Sequence, residues 1–472
     1  MKQRNLLYYN SMNAEELQEV LLSSPPILVK TVKDVDLGLP KWSDLEKQYD
    51  PMKHAIMTDT VKYPPKTNET GGDDFKRTPL GLQKLAVKRI SQSMFSTPVY
   101  RTYSYDTNSE SQKRAAELLE EEYKVQNTIN ASNIERSKLF NASCQIATVW
   151  WVHEKEQMIL GEPTKFALGH KTYSPKNGYA LYPHFNQYDE LVLIGIGYQG
   201  TDKKERLDVY TDAIYVRYVK GENDWEEEEG TRRPLEFMPV VYTSIEEPVW
   251  GGDDGTALVE QLEEMESYQG LYIKSNSLPT FALDMGEING GVHIQGTEAS
   301  TDKRRVILVG KGGKMQDVTW KGAGESIQQR YARLRNSFFE QIQMPDISFA
   351  TLIASNTSAE NKELVFADAK QKAIDLGGEW MKFFMQEIEI VKRFCATIFP
   401  SYKNDMMMLS VLSEIVPYNV KSEMDTAKYI ALAGDNMSQS TKVRLLGEAN
   451  DVEQEIEAIN EEAQQQSNQG LL

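Results

Sequence analysis

Cysteine is nearly absent from this chain of 472 residues: Cys144 and Cys395 are its only two. They are too few for a disulfide framework or a cysteine-based metal cluster, and a reducing compartment is the expected setting. Histidine is scarce too. The five, His54, His153, His170, His184 and His293, never fall in an H-x-x-x-H or H-E-x-x-H spacing. A metal could be held only by long-range convergence, and isolated surface or core histidines are the expectation. Long apolar runs are missing: the best candidate, Leu191 to Ile196, is far short of the ~20 residues that span a bilayer. The opening MKQRNLLYYNS has no signal-peptide core, so neither a membrane nor a secreted protein is expected. Basic charge is in deficit, with 52 Lys and Arg against 70 Asp and Glu and a net charge of -18. Such a balance opposes phosphate binding by counterion release and excludes a tight nucleic-acid reader. It still permits contact with DNA where the task is to avoid sticking.

Catalytic signatures are equally thin. No G-x-S-x-G elbow occurs. GKGGK at Gly310 to Lys314 resembles a phosphate loop, but Met315 stands where Ser or Thr is needed and a strand follows in place of a helix, so a hairpin turn is the better reading. Cys144 falls in an apolar helix-to-strand region and reads as a buried thiol. Adjacent acids such as Asp73 with Asp74, or Asp253 with Asp254, are expected by chance among seventy carboxylates and point to no hydrolase. The densest basic clusters are Lys303, Arg304, Arg305 and Arg330, Arg333, Arg335, which read as solvated charge or subunit-interface pairs more readily than as phosphate contacts.

What is present is a folded pattern, 40% hydrophobic and 26% charged, sized for two to four structural units. Residues 1 to about 75 read as loops and short helices. Leu80, Leu82, Leu85, Val87, Ile90 and Met94 recur at helical spacing before Pro98. Further helices are expected over Ser109 to Asn127 and Ala131 to Gln145. From Ala147 to Ser244, alternating and β-branched runs such as ELVLIGIGY and RLDVYTDAIYVRYV predict an antiparallel sheet, with WEEEEG at Trp225 to Gly230 as an acidic turn. A helix then follows from Thr256, with Leu258, Leu262, Met265, Gln269 and Tyr272 on one side and Glu260, Glu263, Glu264 and Glu266 on the other. Two hairpins are expected next, turning at Asn289 to Gly291 and Gly310 to Gly313. Another helix covers Ala323 to Gln343. A long one runs from Ser358 to Phe399, broken at Gly377 and Gly378, and a smaller helical module with an acidic tail follows Pro400.

Several stretches, taken in order, carry a resemblance. FMPVVY at Phe237 to Tyr242 precedes a short acidic Gly-rich loop and the helix TALVEQLEEMESYQGLYIKSNS. IQQRYARLRNSFFEQIQMPDISF runs a helix into a Pro-Asp turn, and Asn356 to Ala359 opens the long helix. IVPYN at Ile415 to Asn419, NMSQST at Asn436 to Thr441 and DVEQEIEAINEE near the end complete the series. This order resembles the portal proteins of tailed bacteriophages, the ring at one capsid vertex through which DNA passes. Two departures are Ala359, where the family usually has Gly, and Gly255, Thr256 and Ala257, where it has Ser-Asp-Leu.

The resemblance implies an α+β, portal-like fold: a wing over 1–255, stem helices over 256–275 and 323–343, and a β-containing clip over 276–322. It further implies a tunnel loop over 344–357, a long wing helix over 358–399 and an α-helical crown with acidic tail over 400–472. It implies a homo-oligomeric ring, twelve-membered in the family, in the virion at the portal vertex and assembled in the host cytoplasm. Double-stranded DNA would pass without sequence specificity during packaging and ejection. Partners would be the terminase large subunit, major capsid and scaffolding proteins and a head-tail adaptor, with no membrane. No enzymatic activity, cofactor or metal is implied. Tunnel-loop residues would be Asp346, Phe349, Thr351, Ser355 and Asn356; channel-lining stem candidates Glu260, Glu263 and Glu264; and the clip's basic cluster Lys303, Arg304 and Arg305. Two alternatives stand beside this reading. One is a ring-forming head-tail adaptor without a DNA path; the other is an acid-base hydrolase, which would need Glu260 or Asp346 in a deep pocket.

Overall fold

The computed structural model describes residues 12–65, 76–106, 108–276, 280–284, 293–295, 305–309, 323–345, 367–416, 430–432 and 437–446, together with Ile456 and Ile459. The N-terminal part is a run of short helices: α1 (Ala14–Leu22), α2 (Pro25–Lys33), α3 (Trp42–Tyr49) and α4 (Ala55–Thr58). A capping box starts α1, where Asn13 accepts from the Glu16 amide and Glu16 accepts from the Asn13 amide, satisfying two donors the helix leaves open. Helix α5 (Leu82–Phe95) buries Leu82, Val87, Ile90 and Met94 as its periodicity predicts. After β1 (Tyr100–Ser104), α6 (Glu110–Glu120) begins on Ser109, whose hydroxyl accepts from the Gln112 amide.

A π-helical turn over Glu121–Gln126 continues α6. Its extra residue per turn lets two successive side chains, Glu122 and Tyr123, both point inward. Helix α7 (Ile129–Ser143) ends at Cys144, which is buried and left-handed at φ 63°. Burial pushes that thiol up to about 12.

Two antiparallel sheets follow. In the first, β2 (Gln145–Ile159) lies between β3 (Glu162–Tyr173) and β10 (Val240–Ser244). The second is a meander of β4 (Ala180–Phe185), β5 (Leu191–Gln199), β6 (Glu205–Thr211), β7 (Ile214–Lys220) and β8 (Trp225–Glu227), with β9 (Arg233–Pro234) also on β7. Trp225–Glu227 is therefore a strand paired with Tyr218–Lys220, and the acidic turn expected there begins only after it. Trp225 takes part because Lys33 Nζ sits 4.2 Å over its ring, fixing the strand against α2. Close approach of α2 to the meander explains Gly195: a Cβ there would meet Val32 Cγ1 at 2.5 Å.

Beyond β10 come α8 (Gly252–Asn276), β11 (Thr280–Asp284), β12 (His293–Gln295), β13 (Arg305–Val309) and α9 (Ala323–Gln341). The hairpin expected at Asn289 to Gly291 would pair β11 with β12. Instead β13 lies between them, parallel to β11 and antiparallel to β12, so the apolar strand RVILV takes the central place. The second expected hairpin lies outside the described residues.

Helix α10 (Ala367–Ile398) is 32 residues, about 48 Å long. It runs unbroken through Gly377 and Gly378. The expected interruption is absent because the glycine penalty, about 1 kcal/mol each, is outweighed by packing. Trp380 alone lies 5.0–5.7 Å from the rings of Phe95, Phe140, Phe383 and Phe384. Next come α11 (Lys403–Met408), β14 (Ser410–Glu414) and α12 (Gln439–Leu446). The purely helical module expected after Pro400 thus contains a strand, which pairs antiparallel with β1, Tyr100 opposite Glu414. The main core gathers α5, α7, α10, the sheet of β2 and the end of α9, while a second packs α2 on the meander.

Candidate functional site

Helix α8 begins with Asp253 and Asp254, whose charges suit the positive end of the helix dipole. Ahead of it, buried Trp250 donates its indole N–H to Gln48 Oε1 at 3.0 Å, and Gln48 Nε2 donates to Asp253 at 2.8 Å. The next turns meet the same N-terminal stretch. Glu260 accepts from Lys62 Nζ at 2.8 Å and from the Tyr63 hydroxyl at 3.2 Å. Burial, reinforced by Glu260, pushes that hydroxyl up to about 12. Glu263 Oε1 lies 2.5 Å from His54 Nδ1 and accepts from the Leu80 amide at 2.7 Å. The other nitrogen of His54 donates to the Gln48 carbonyl at 2.8 Å, because a carbonyl can only accept. Finally, the Thr78 amide donates to Ser267 Oγ at 2.9 Å. Segments 48–63 and 78–80 form a strap along one side of α8.

That strap decides what the expected channel-lining acids can do. Glu263 was expected on the solvated side of its helix, yet it is 1% exposed and enclosed by His54 and Leu80, so it has no access to a passage. Glu260 is half-buried and paired with Lys62, not set in a deep pocket as a hydrolase reading would need. Glu264 is half-buried on the flank of the helix. Asp346, Phe349, Thr351, Ser355, Asn356, Lys303 and Arg304 lie outside the described residues, and Arg305 is the first residue of β13.

On α9, Arg330 and Arg333 are exposed, whereas Arg335 lies 5.4 Å from the Phe339 ring. Arg89 of α5 donates to the Pro345 carbonyl at 3.1 Å and covers the same ring at 4.8 Å. This contact ties the end of α9 to the core.

A second ionisable cluster, which sequence reasoning missed, fixes α10. Glu387 is fully buried and meets three donors: Arg136 Nη1 at 2.8 Å, the Tyr123 hydroxyl at 2.6 Å and the Trp150 indole at 3.1 Å. His170 stacks on Trp150 at 4.6 Å, and burial together with the Arg136 charge lowers it to about 3. Nearby, Glu122 accepts from the Leu168 amide at 2.6 Å, and burial raises its pKa. Glu387 did leave a signal: it falls on the apolar stripe Trp380, Phe383, Phe384, Val391, where a charge needs a buried partner. Both of its oxygens accept from buried protein donors, so the cluster ties α10 to the first sheet and to the helices that carry Tyr123 and Arg136.

Among the described residues no group of three or more His, Cys, Asp or Glu is placed to hold a metal ion, and no helix is long and apolar enough to cross a membrane. A surface groove of about 540 Å³ between α1 and α2 is lined by Glu16, Glu19, Lys30, Asp34 and His184, without convergent catalytic groups.

Among curated proteins none matches the chain significantly. Among solved structures, a chain titled as the neck of an empty GTA particle computed with C6 symmetry matches at 11% identity and TM-score 0.38, over 84% of this chain and 94% of that one. Another, from the virion of a native gene transfer agent particle, matches at 12% identity and TM-score 0.26, over 79% and 91%. Both are remote likenesses. The sequence itself matches the model of the phage portal proteins of the SPP1 Gp6-like type over residues 36–469, nearly the whole described core included. This chain belongs to the SPP1 Gp6-like phage portal protein family.

Proposed function

We propose that copies of this chain close into a ring at one capsid vertex and that the ring is the passage for double-stranded DNA during packaging and ejection. The family match over residues 36–469 carries the reading. The pair α8 and α9 flanking a small three-stranded sheet supports it, since two helices of about 30 Å or more with an insert between them suit the wall of a channel. In this reading α8 and α9 are the stem, β11 to β13 belong to the clip, 344–357 is the tunnel loop, α10 is the long wing helix and 400–472 is the crown. The clip would receive the terminase large subunit and later a head-tail adaptor, and the outer surface would meet capsid and scaffolding proteins.

The charge of -18 fits a conduit. Phosphates that are repelled at close range, within the ~8 Å screening length of physiological salt, slide without being held. Such a passage needs no reacting side chain, and an ATP-driven motor outside this chain supplies the work. Electron microscopy of the purified protein should show closed rings with a central hole. A chain that stays monomeric or dimeric at every concentration overturns the proposal. Substitution of Phe349, Thr351 or Asn356 should impair packaging while rings still assemble.

A further inference from the structure

Beside the strap, α8 keeps an exposed side. Asp254, Ala257, Gln261 and Glu264 follow one another along it at spacings of three, four and three; all are exposed except the half-buried Glu264. Helix α9 has its own free side, where Arg330 and Arg333 stand one turn apart, exposed and without an ion pair among the described residues. Arginines without an ion pair among the described residues are unexpected in a chain with so large an excess of carboxylates.

The heights of these groups match. A Cβ on Gly255 would lie 3.7 Å from the Phe338 ring, and one on Gly251 would meet Gln341, so α8 and α9 run antiparallel side by side. Both helices rise ~1.5 Å per residue. Glu264 lies nine residues above Gly255, and nine residues back from Phe338 is Gln329, so Glu264 stands level with Gln329, with Arg330 next to it and Arg333 about one turn away.

In a closed ring each contact is heterologous, one patch of a copy meeting a different patch of the next. Rotation about an axis running along the helix pair preserves height. An acid and an arginine at equal heights on the two free sides are therefore brought together between neighbours. We propose that Arg330 and Arg333 of one copy pair with Glu264 and the adjoining free side of α8 in the next copy. The inference rests on the ring reading and gives Glu264 to the subunit boundary rather than to the passage.

The test is ring assembly followed by mass photometry across a concentration series, with retained DNA measured in parallel. R330E/R333E should raise the concentration of half-assembly by about tenfold, because each boundary changes from attraction to repulsion. Circular dichroism and monomer Tm should stay unchanged, since neither arginine has an ion pair among the described residues. Adding Q261K/E264K to the same chain reverses both sides of every boundary and should restore assembly to within about threefold of wild type. Wild-type rings should also weaken as salt rises from about 0.05 to about 0.5 M. Undiminished rings in R330E/R333E, or no recovery in the combined variant, overturn the pairing. Intact rings with lost DNA retention do so as well, by placing the arginines in the passage. If the wild-type chain forms no ring, the ring reading itself has failed, and with it this inference.

Discussion

At the scale of the residue, buried charge is the most telling feature. Glu387 and Arg136 are both almost wholly enclosed; the carboxylate accepts from Arg136 and fixed neighbours, while Arg136 Nη2 is buried without a hydrogen-bond partner. Arg136→Met strands the carboxylate and should cost about 3–5 kcal/mol in urea unfolding, whereas Arg136→Met with Glu387→Met should lie much closer to wild type. His170 gives a pH-dependent counterpart. It stays neutral in the fold down to about 3, while the unfolded chain takes up a proton near the ordinary histidine value of 6.5. Its contribution to stability is therefore fully present above pH 6.5 and declines as the pH falls toward 3, at about 1.4 kcal/mol per pH unit. His170→Gln should remove that part of the acid dependence, as measured by urea unfolding at pH 6.5 and pH 5.

At the scale of the element, α8 is the informative case. The sequence pattern placed a helix there correctly, but it showed Glu260, Glu263 and Glu264 as equivalent acids on a solvated side. Their fates differ because His54 and Lys62 arrive from about two hundred positions away. No local periodicity records such a partner. His54→Phe should leave Glu263 buried against a single amide, costing about 3 kcal/mol, and should expose 55–63 to limited proteolysis before the rest of the chain unfolds. Helix α5 was legible in its apolar spacing for the opposite reason: its burial is set by its own repeat. Strand β14 was not, because five residues inside a helical context become a strand only when β1 is beside them. The central place of β13 was hidden likewise, since parallel pairing with β11 depends on the path of the connection rather than on turn residues.

At the scale of the whole molecule, net charge sets the terms with DNA. The chain at physiological salt should show no retention of duplex in fluorescence anisotropy at protein concentrations up to about 10 μM, the strong end of ordinary non-specific binding being ~1 μM. Tight binding would contradict a smooth conduit. The pairing of β1 with β14 adds a constraint of another kind, on the order of events during biogenesis. Its two partners are more than three hundred positions apart, so closing that loop is entropically slow and waits for the intervening sheets and α10 to condense first. Maturation of the chain then finishes at its C-terminal third. A newly made copy withheld from its neighbours until that last ribbon zips up would protect assembly from half-folded recruits, and hydrogen exchange at 100–104 should be the slowest to gain protection on refolding.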